Sequence, residues 1–115
     1  MGEMTSVKKN NEFRRAYSKG KSYVSPIVVM YVLRNKKGYS RFGITTSKKI
    51  GNAVKRNRCR RIIKEAYRKI LPSVKSGYDF IFVARVKTSQ SNSNEMFKCI
   101  EKYMKKANVL KWRDF

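Results

Sequence analysis

Residues 47–72, SKKIGNAVKRNRCRRIIKEAYRKILP, decide how the rest of the chain is read. Asn52 is placed as an N-cap, and Pro72 ends the segment by pushing its predecessor out of helical geometry, so the spacing predicts a helix from Asn52 to about Leu71. At 100° per residue, Cys59, Ile62, Ile63, Ala66 and Ile70 form one apolar stripe. Asn57, Arg60, Arg61, Lys64 and Arg68 lie opposite it, with Arg56 and Arg58 flanking. Lys48 to Lys69 holds ten basic residues and one acid in 22 positions. A merely solvated helix face intersperses Glu at i, i+4 to relieve repulsion, and here only Glu65 is available. The face therefore reads as a binding surface for an anion. Lys48 and Lys49 extend it toward the helix N-terminus, where free N–H groups and the dipole already favour negative charge. Because a guanidinium forks onto two phosphate oxygens and also stacks on bases, an Arg-rich stripe containing an Asn suits folded RNA.

Working outward, residues 1–9 carry no periodicity and read as a flexible basic arm, followed by a single RNA-binding domain over 10–115. Asn10 or Asn11 is placed to cap a short helix with Phe13, Ala16 and Tyr17 on one side, and Gly20 to end it. Tyr23 to Leu33 is a β-branched and aromatic run broken by Pro26, which separates a short edge strand from a longer central one. Asn35 to Gly38 is a polar turn, and Tyr39 to Thr46 resumes as a strand, giving an expected antiparallel hairpin. Beyond the basic helix, Tyr78 to Val86 is strongly β. Asn92 with Glu95 reads as an N-cap pair opening a last helix with Met96, Ile100, Met104 and Ala107 as its stripe. The order is αβββαβα: one α+β domain with a mixed four-stranded sheet packed against helices.

Composition narrows the function. The 115 residues include 29 Lys and Arg against 7 Asp and Glu, a formal charge of +22, which calls for an anionic partner. With 41% hydrophobic residues, seven Tyr and six Phe, this is not a disordered basic tail. Cys59 and Cys99 are forty residues apart with no His in the chain, which excludes a zinc finger and reads as buried, reduced thiols. The longest uncharged apolar run, Tyr23 to Leu33, is too short for a membrane span, so a cytoplasmic location is expected, with no membrane partner. No His, no paired carboxylates, no activated nucleophile and no phosphate-binding G-x-x-x-x-G-K loop are present, so the chain carries no catalytic residues of its own.

A second constellation is Phe13, Tyr17 and Tyr31. If the first helix lies on the sheet face bearing Tyr31, the three rings line a groove rimmed by Arg14, Arg15, Lys19 and Lys21, a surface suited to single-stranded RNA. Spacing alone allows the alternative that Phe13 and Tyr17 fill the core.

Ser47 to Arg61, with Arg56-Asn57-Arg58 inside it, resembles the signature of the bacterial ribonuclease P protein subunit. The Asn11-Glu12-Phe13 start of the first helix, Ala84-Arg85 after the last strand and the element order extend the resemblance over about residues 8 to 110. It implies the fold type of the second domain of a ribosomal protein, with a left-handed βαβ crossover against the usual right-handed rule. It also implies a subunit of an endoribonuclease that removes the 5′ leader of precursor tRNA. Catalysis belongs to the RNA subunit, and the magnesium the holoenzyme requires is bound mainly by RNA. On that resemblance Lys48, Lys49, Asn52, Arg56, Asn57, Arg58, Arg60, Arg61, Lys64 and Arg68 contact the catalytic RNA. Phe13, Tyr17 and Tyr31, with Arg14 and Arg15, hold the leader of the precursor tRNA. No protein metal ligand is assigned. The alternatives are a small ribosomal or rRNA-binding structural protein of similar fold, and a DNA-binding regulator. The second is disfavoured because strands flank the basic helix where a helix-turn-helix partner would stand.

Overall fold

The computed structural model describes residues 4–111, so residues 1–3 of the expected arm and 112–115 of the expected domain lie outside the described residues. The elements are β1 (Thr5–Ser6), α1 (Asn10–Lys19), β2 (Lys21–Val24), β3 (Val28–Arg34), β4 (Arg41–Thr45), α2 (Ala53–Ile70), β5 (Tyr78–Ala84) and α3 (Ser93–Lys106), with short 3-10 turns at Lys48–Ile50, Leu71–Ser73 and Val86–Gln90. The strands form one mixed sheet in the order β1-β4-β5-β3-β2.

β5 holds the centre because it is apolar on both faces: Phe80, Ile81 and Phe82 in succession are fully buried, as a strand covered on both sides requires. It runs antiparallel to β3 and parallel to β4, with Ile81 opposite Tyr31 on one side and Gly43 on the other. The expected hairpin between β3 and β4 therefore does not form. The Asn35–Gly38 turn does: Asn35 Oδ1 accepts from Lys37 N at 3.0 Å and Gly38 takes a left-handed φ of 78°. However, Asn35 N also donates to Gly77 O at 2.8 Å, tying the turn to the start of β5, which lies between the two strands. The true hairpin is β2–β3. Its tight connection is held by Ser25, whose Oγ accepts from Val28 N at 3.0 Å.

The start of the chain also departs from expectation. Thr5 and Ser6 pair in parallel with Arg41 and Phe42, and Val7 is buried with its N–H donating to Phe42 O at 2.7 Å. Residues 5–7 are thus a fifth strand and part of the core rather than a flexible arm; the open edge of β4 offers backbone partners that two polar residues do not advertise. Neither Asn10 nor Asn11 caps α1: Lys9 is the N-cap, with no side-chain cap bond. Gly20 does end it, for packing reasons, since a Cβ there would stand 2.5 Å from Ala16 O and 3.0 Å from Val32 O.

The two helix layers are unequal. On one sheet face α2 and α3 cover Val28, Met30, Phe42, Phe80 and Phe82, and this larger core includes Cys59, Ile63, Ala66, Met96, Ile100 and Met104. Tyr67, outside the stripe read from sequence, is 1% exposed and stacks on Phe42 with centroids 4.9 Å apart. Truncating a ring buried like this costs about 3 to 5 kcal/mol. Burial, and secondarily the charge of Asp79, pushes its hydroxyl pKa far up. Cys59 is buried and Cys99 half-buried, both free thiols; burial also raises the Cys59 pKa, against the smaller opposing pull of Arg58 and Arg60. On the other face α1 alone packs, over Val7 and Ile81, with Phe13, Tyr31 and Val83 only partly covered. No helix among the described residues is long and apolar enough to cross a membrane.

Candidate nucleic-acid interface

The basic surface is built from the loop into α2 onward. Ser47 Oγ accepts from Lys49 N at 3.3 Å, and Asn52 Oδ1 accepts from Lys55 N at 3.0 Å as the helix N-cap. Gly51, at φ 135°, makes the bend between the two turns. Lys48 and Lys49 are thereby exposed beside the N-terminus of an 18-residue helix, where the dipole adds to their charge. Asn57, Arg60, Arg61, Lys64 and Arg68 are all exposed.

The structure divides the basic residues in a way periodicity could not. Arg56 is half-buried and donates from Nη1 to Gly51 O at 2.6 Å, locking the loop to the first helical turn. Arg58 donates from Nε to Ser89 O at 2.8 Å, fastening α2 to the turn that follows β5. Each uses one of five guanidinium N–H donors on the fold itself. Arg60 donates to Asn57 Oδ1 at 3.3 Å, and Arg68 pairs with Glu65 at 3.0 Å in an exposed contact of the kind worth about 0 to 1 kcal/mol. Among the described residues Lys48, Lys49, Arg61 and Lys64 have no ion-pair partner.

The aromatic residues lie on the opposite sheet face. α1 sits on the sheet through buried Ala16, and Tyr17 meets Tyr31 edge-on, with centroids 5.0 Å apart and planes at 74°. The Phe13 ring covers Gly43, where a Cβ would come within 2.8 Å of it. Asn10, Phe13, Arg14, Tyr17 and Thr45 line a groove of about 390 Å³. Phe13 is half-buried against the small core, whereas Tyr17 is 38% exposed, so Phe13 serves both as core and as groove wall.

Three expected rim residues, Arg15, Lys19 and Lys21, do not line this groove. Arg15 lies on the far flank of α1 and lines a separate cleft of about 690 Å³ with Leu33, Arg34, Asn35, Lys36 and Lys37, because two positions along a helix turn a side chain some 200° from Phe13. Lys21 pairs in register with Val32 and so lies on the sheet face away from α1, with its Nζ 5.7 Å from the centre of the Tyr23 ring.

The floor of the larger cleft holds a charge cluster that sequence reading missed. Arg41, 8% exposed, forks onto Asp79, Nε to Oδ1 at 2.9 Å and Nη2 to Oδ2 at 2.7 Å. Its Nη1 donates to Glu12 Oε2 on α1 at 2.9 Å, and Asn35 Nδ2 donates to Asp79 Oδ1 at 2.7 Å. The hydrogen bond from Arg41 is the leading cause that holds the Glu12 carboxyl below its usual pKa. Hydrogen bonding to Asp79 leads in raising that of Arg41. One arginine thus bridges β4, β5 and the first turn of α1, fixing the helix that carries Phe13 and Tyr17. No group of three or more His, Cys, Asp or Glu able to hold a metal ion is found among the described residues.

Gly43→Ala tests the seat of Phe13. The new methyl also meets Ile81 Cδ1 at 3.0 Å, so the ring is expected to swing outward at a cost of about 1 to 3 kcal/mol in stability. Thermal melts check the loss, and tyrosine ring NMR shifts at Tyr17 and Tyr31 check the displacement; a variant with wild-type melting and unchanged shifts would contradict the contact.

The fold and its surface define a strongly cationic α+β domain with an arginine-rich helix on one side and an aromatic groove on the other, the surface chemistry of a protein that binds anions. A family model for ribonuclease P matches residues 1–108. The ribonuclease P protein component of Clostridioides difficile is 44% identical over 104 residues, covering 90% of this chain and 91% of that protein; the one from Clostridium perfringens strain SM101 is 38% identical over 113 residues, covering 92% and 90%. The solved Staphylococcus aureus RNase P protein superposes with a TM-score of 0.81 at 33% identity, covering 95% of this chain and 100% of that one. The Thermotoga maritima RNase P protein, at 24% identity and a TM-score of 0.77 over 88% and 96%, adds a likeness of fold. The chain belongs to the ribonuclease P protein family, the protein subunits of the tRNA-processing ribonucleoprotein enzyme.

Proposed function

We propose that this chain acts in the cytoplasm as the ribonuclease P subunit that docks on the catalytic RNA through the α2 surface and holds the 5′ leader of precursor tRNA in the groove between α1 and the sheet. The observation that carries the reading is the groove lined by Phe13, Arg14 and Tyr17, with Tyr31 outside that lining but in edge contact with Tyr17 on the sheet face that α1 only partly covers. Aromatic rings beside a cation suit a strand without fixed sequence, because every base has a π-face. The α2 stripe offers guanidinium forks to the phosphates of a folded RNA. Hydrolysis of the phosphodiester falls to the RNA, with magnesium held mainly there; the chain's part is to bind and orient.

The test is reconstitution with a bacterial ribonuclease P RNA at low magnesium, assaying 5′ processing and comparing affinity for precursor and mature tRNA. The wild-type chain is expected to stimulate cleavage. Tyr31→Ala, or Phe13→Ala with its fold checked by circular dichroism, is expected to weaken precursor binding by about 1 to 3 kcal/mol with little change for mature tRNA. No stimulation at any protein concentration would defeat the reading, and equal losses for both substrates would defeat the leader assignment.

A further inference from the structure

A second aromatic and basic surface lies where β2 meets α3, outside both sites above. Tyr23 and Tyr103 are both half-buried, with ring centroids 5.8 Å apart and planes tilted by 40°. The Tyr103 hydroxyl donates to Val24 O at 3.1 Å, which fixes that ring against the strand. Three exposed lysines surround the pair: Lys21 Nζ stands 5.7 Å from the centre of Tyr23, and Lys102 and Lys106 Nζ stand 5.6 and 5.7 Å from the centre of Tyr103.

The charges are not neutralised by the fold. The ion pairs among the described residues belong to Arg41 and Arg68, so none of these lysines has a carboxylate partner among the described residues. Lys102 and Lys106 are four apart on one helix, a like-charge spacing that works against the helix. Ring quadrupoles offset part of that repulsion, by about 0.5 to 1 kcal/mol per exposed contact; an anion would remove it. β2 is also the last strand of its side of the sheet, so this corner is open to a partner.

We propose that this corner is a separate binding platform for a short stretch of single-stranded RNA, with phosphates on Lys21, Lys102 and Lys106 and a base against the tyrosine pair. Ordered rings under clustered ammoniums favour a nucleic acid over an acidic peptide, which would need the charges alone. The platform lies on the sheet face opposite the Tyr17–Tyr31 groove and does not depend on the leader assignment.

The test uses the full-length chain and a fluorescein-labelled U12 oligonucleotide, with a 5-iodouridine version for photo-cross-linking. Lys21→Gln/Lys102→Gln/Lys106→Gln is compared with a charge-matched control off α3 and β2, Lys8→Gln/Lys36→Gln/Lys37→Gln, whose lysines are likewise exposed. The platform variant is expected to lower the log–log salt slope for U12 by about 2, at roughly 0.7 per phosphate contact. The control lowers it by less than half as much. Iodouridine is expected to cross-link to Tyr23 or Tyr103 in the wild type and no longer in the platform variant. Equal slope changes from the two variants, or cross-links confined to α1, Tyr31 and α2, would overturn the proposal and leave the β2 edge to a protein strand.

Discussion

Arg41→Met is expected to lower the free energy of unfolding by about 3 to 5 kcal/mol, the largest effect of any single charge removal in this chain. The guanidinium is nearly buried and forks onto Asp79, itself 5% exposed. Deleting it leaves an uncompensated carboxylate inside the fold and releases Glu12 from the sheet. At about 4 °C per kcal/mol for a domain of this size, the melting midpoint falls by roughly 12 to 20 °C. Arg41→Met/Asp79→Leu removes both charges, and most of the lost stability is expected to return, since an apolar pair of similar volume replaces a buried ion pair at little net cost. Lowering the pH acts on the same cluster. Because the carboxyl pKa of Glu12 is lowered in the fold, its contribution is complete above the unfolded value, near 4.3, and is lost as pH falls through the lower folded value. Acid melts of Glu12→Gln should therefore converge on wild type at low pH and separate from it at neutral pH. An Arg41→Met chain that melts within a few degrees of wild type would show that these charges are solvated.

That cluster also marks how far the chain could be read without coordinates. Helix starts carried by local chemistry were legible: Asn52 and Asn92 both accept from the backbone N–H three residues on, as their spacing before the periodic stripes indicated. The apolar stripe of α2 was legible for Cys59 through Ile70, and so was the cationic stripe opposite. Pairing was not. Arg41 and Asp79 are 38 residues apart and meet only because β5 enters between β3 and β4. A turn as well formed as Asn35–Gly38 suggests a hairpin, since neighbours in sequence usually pair. The unbroken apolar run of β5 was a signal for the central position, because edge strands are seldom apolar on both faces. Thr5 and Ser6 show no strand pattern at all; their pairing is owed to the free edge of β4. Arg15 and Lys21 were misplaced for one reason: a basic residue near an aromatic one in sequence shares its surface only if helix phase or strand register allows it.

On the proposed docking through α2, Arg60→Gln/Arg61→Gln/Lys64→Gln/Arg68→Gln is expected to reduce the log–log salt slope for binding ribonuclease P RNA by about 3, at roughly 0.7 to 0.9 per lost phosphate contact. Between 50 and 200 mM salt, a slope difference of 3 is about 60-fold in relative affinity, so the variant should bind more weakly and lose affinity with salt less steeply than wild type, the remaining slope resting on Lys48, Lys49, Arg56 and Arg58. The fold should survive, because all four side chains are exposed and the one ion pair among them, Arg68 with Glu65, lies on the surface where such pairs add little. Melting is expected to change by a few degrees at most, and upward if relief of self-repulsion dominates. Arg56→Ala is the informative contrast. Its Nη1 bond to Gly51 O means that affinity and the order of the Lys48–Gly51 loop should fall together, whereas Arg61→Ala should lower affinity alone. Filter-binding titrations across salt, paired with hydrogen exchange of the loop amides, separate the two. A quadruple variant with wild-type slope and affinity would take the α2 stripe off the RNA and leave the loop, the groove or the β2–α3 corner to carry the contact.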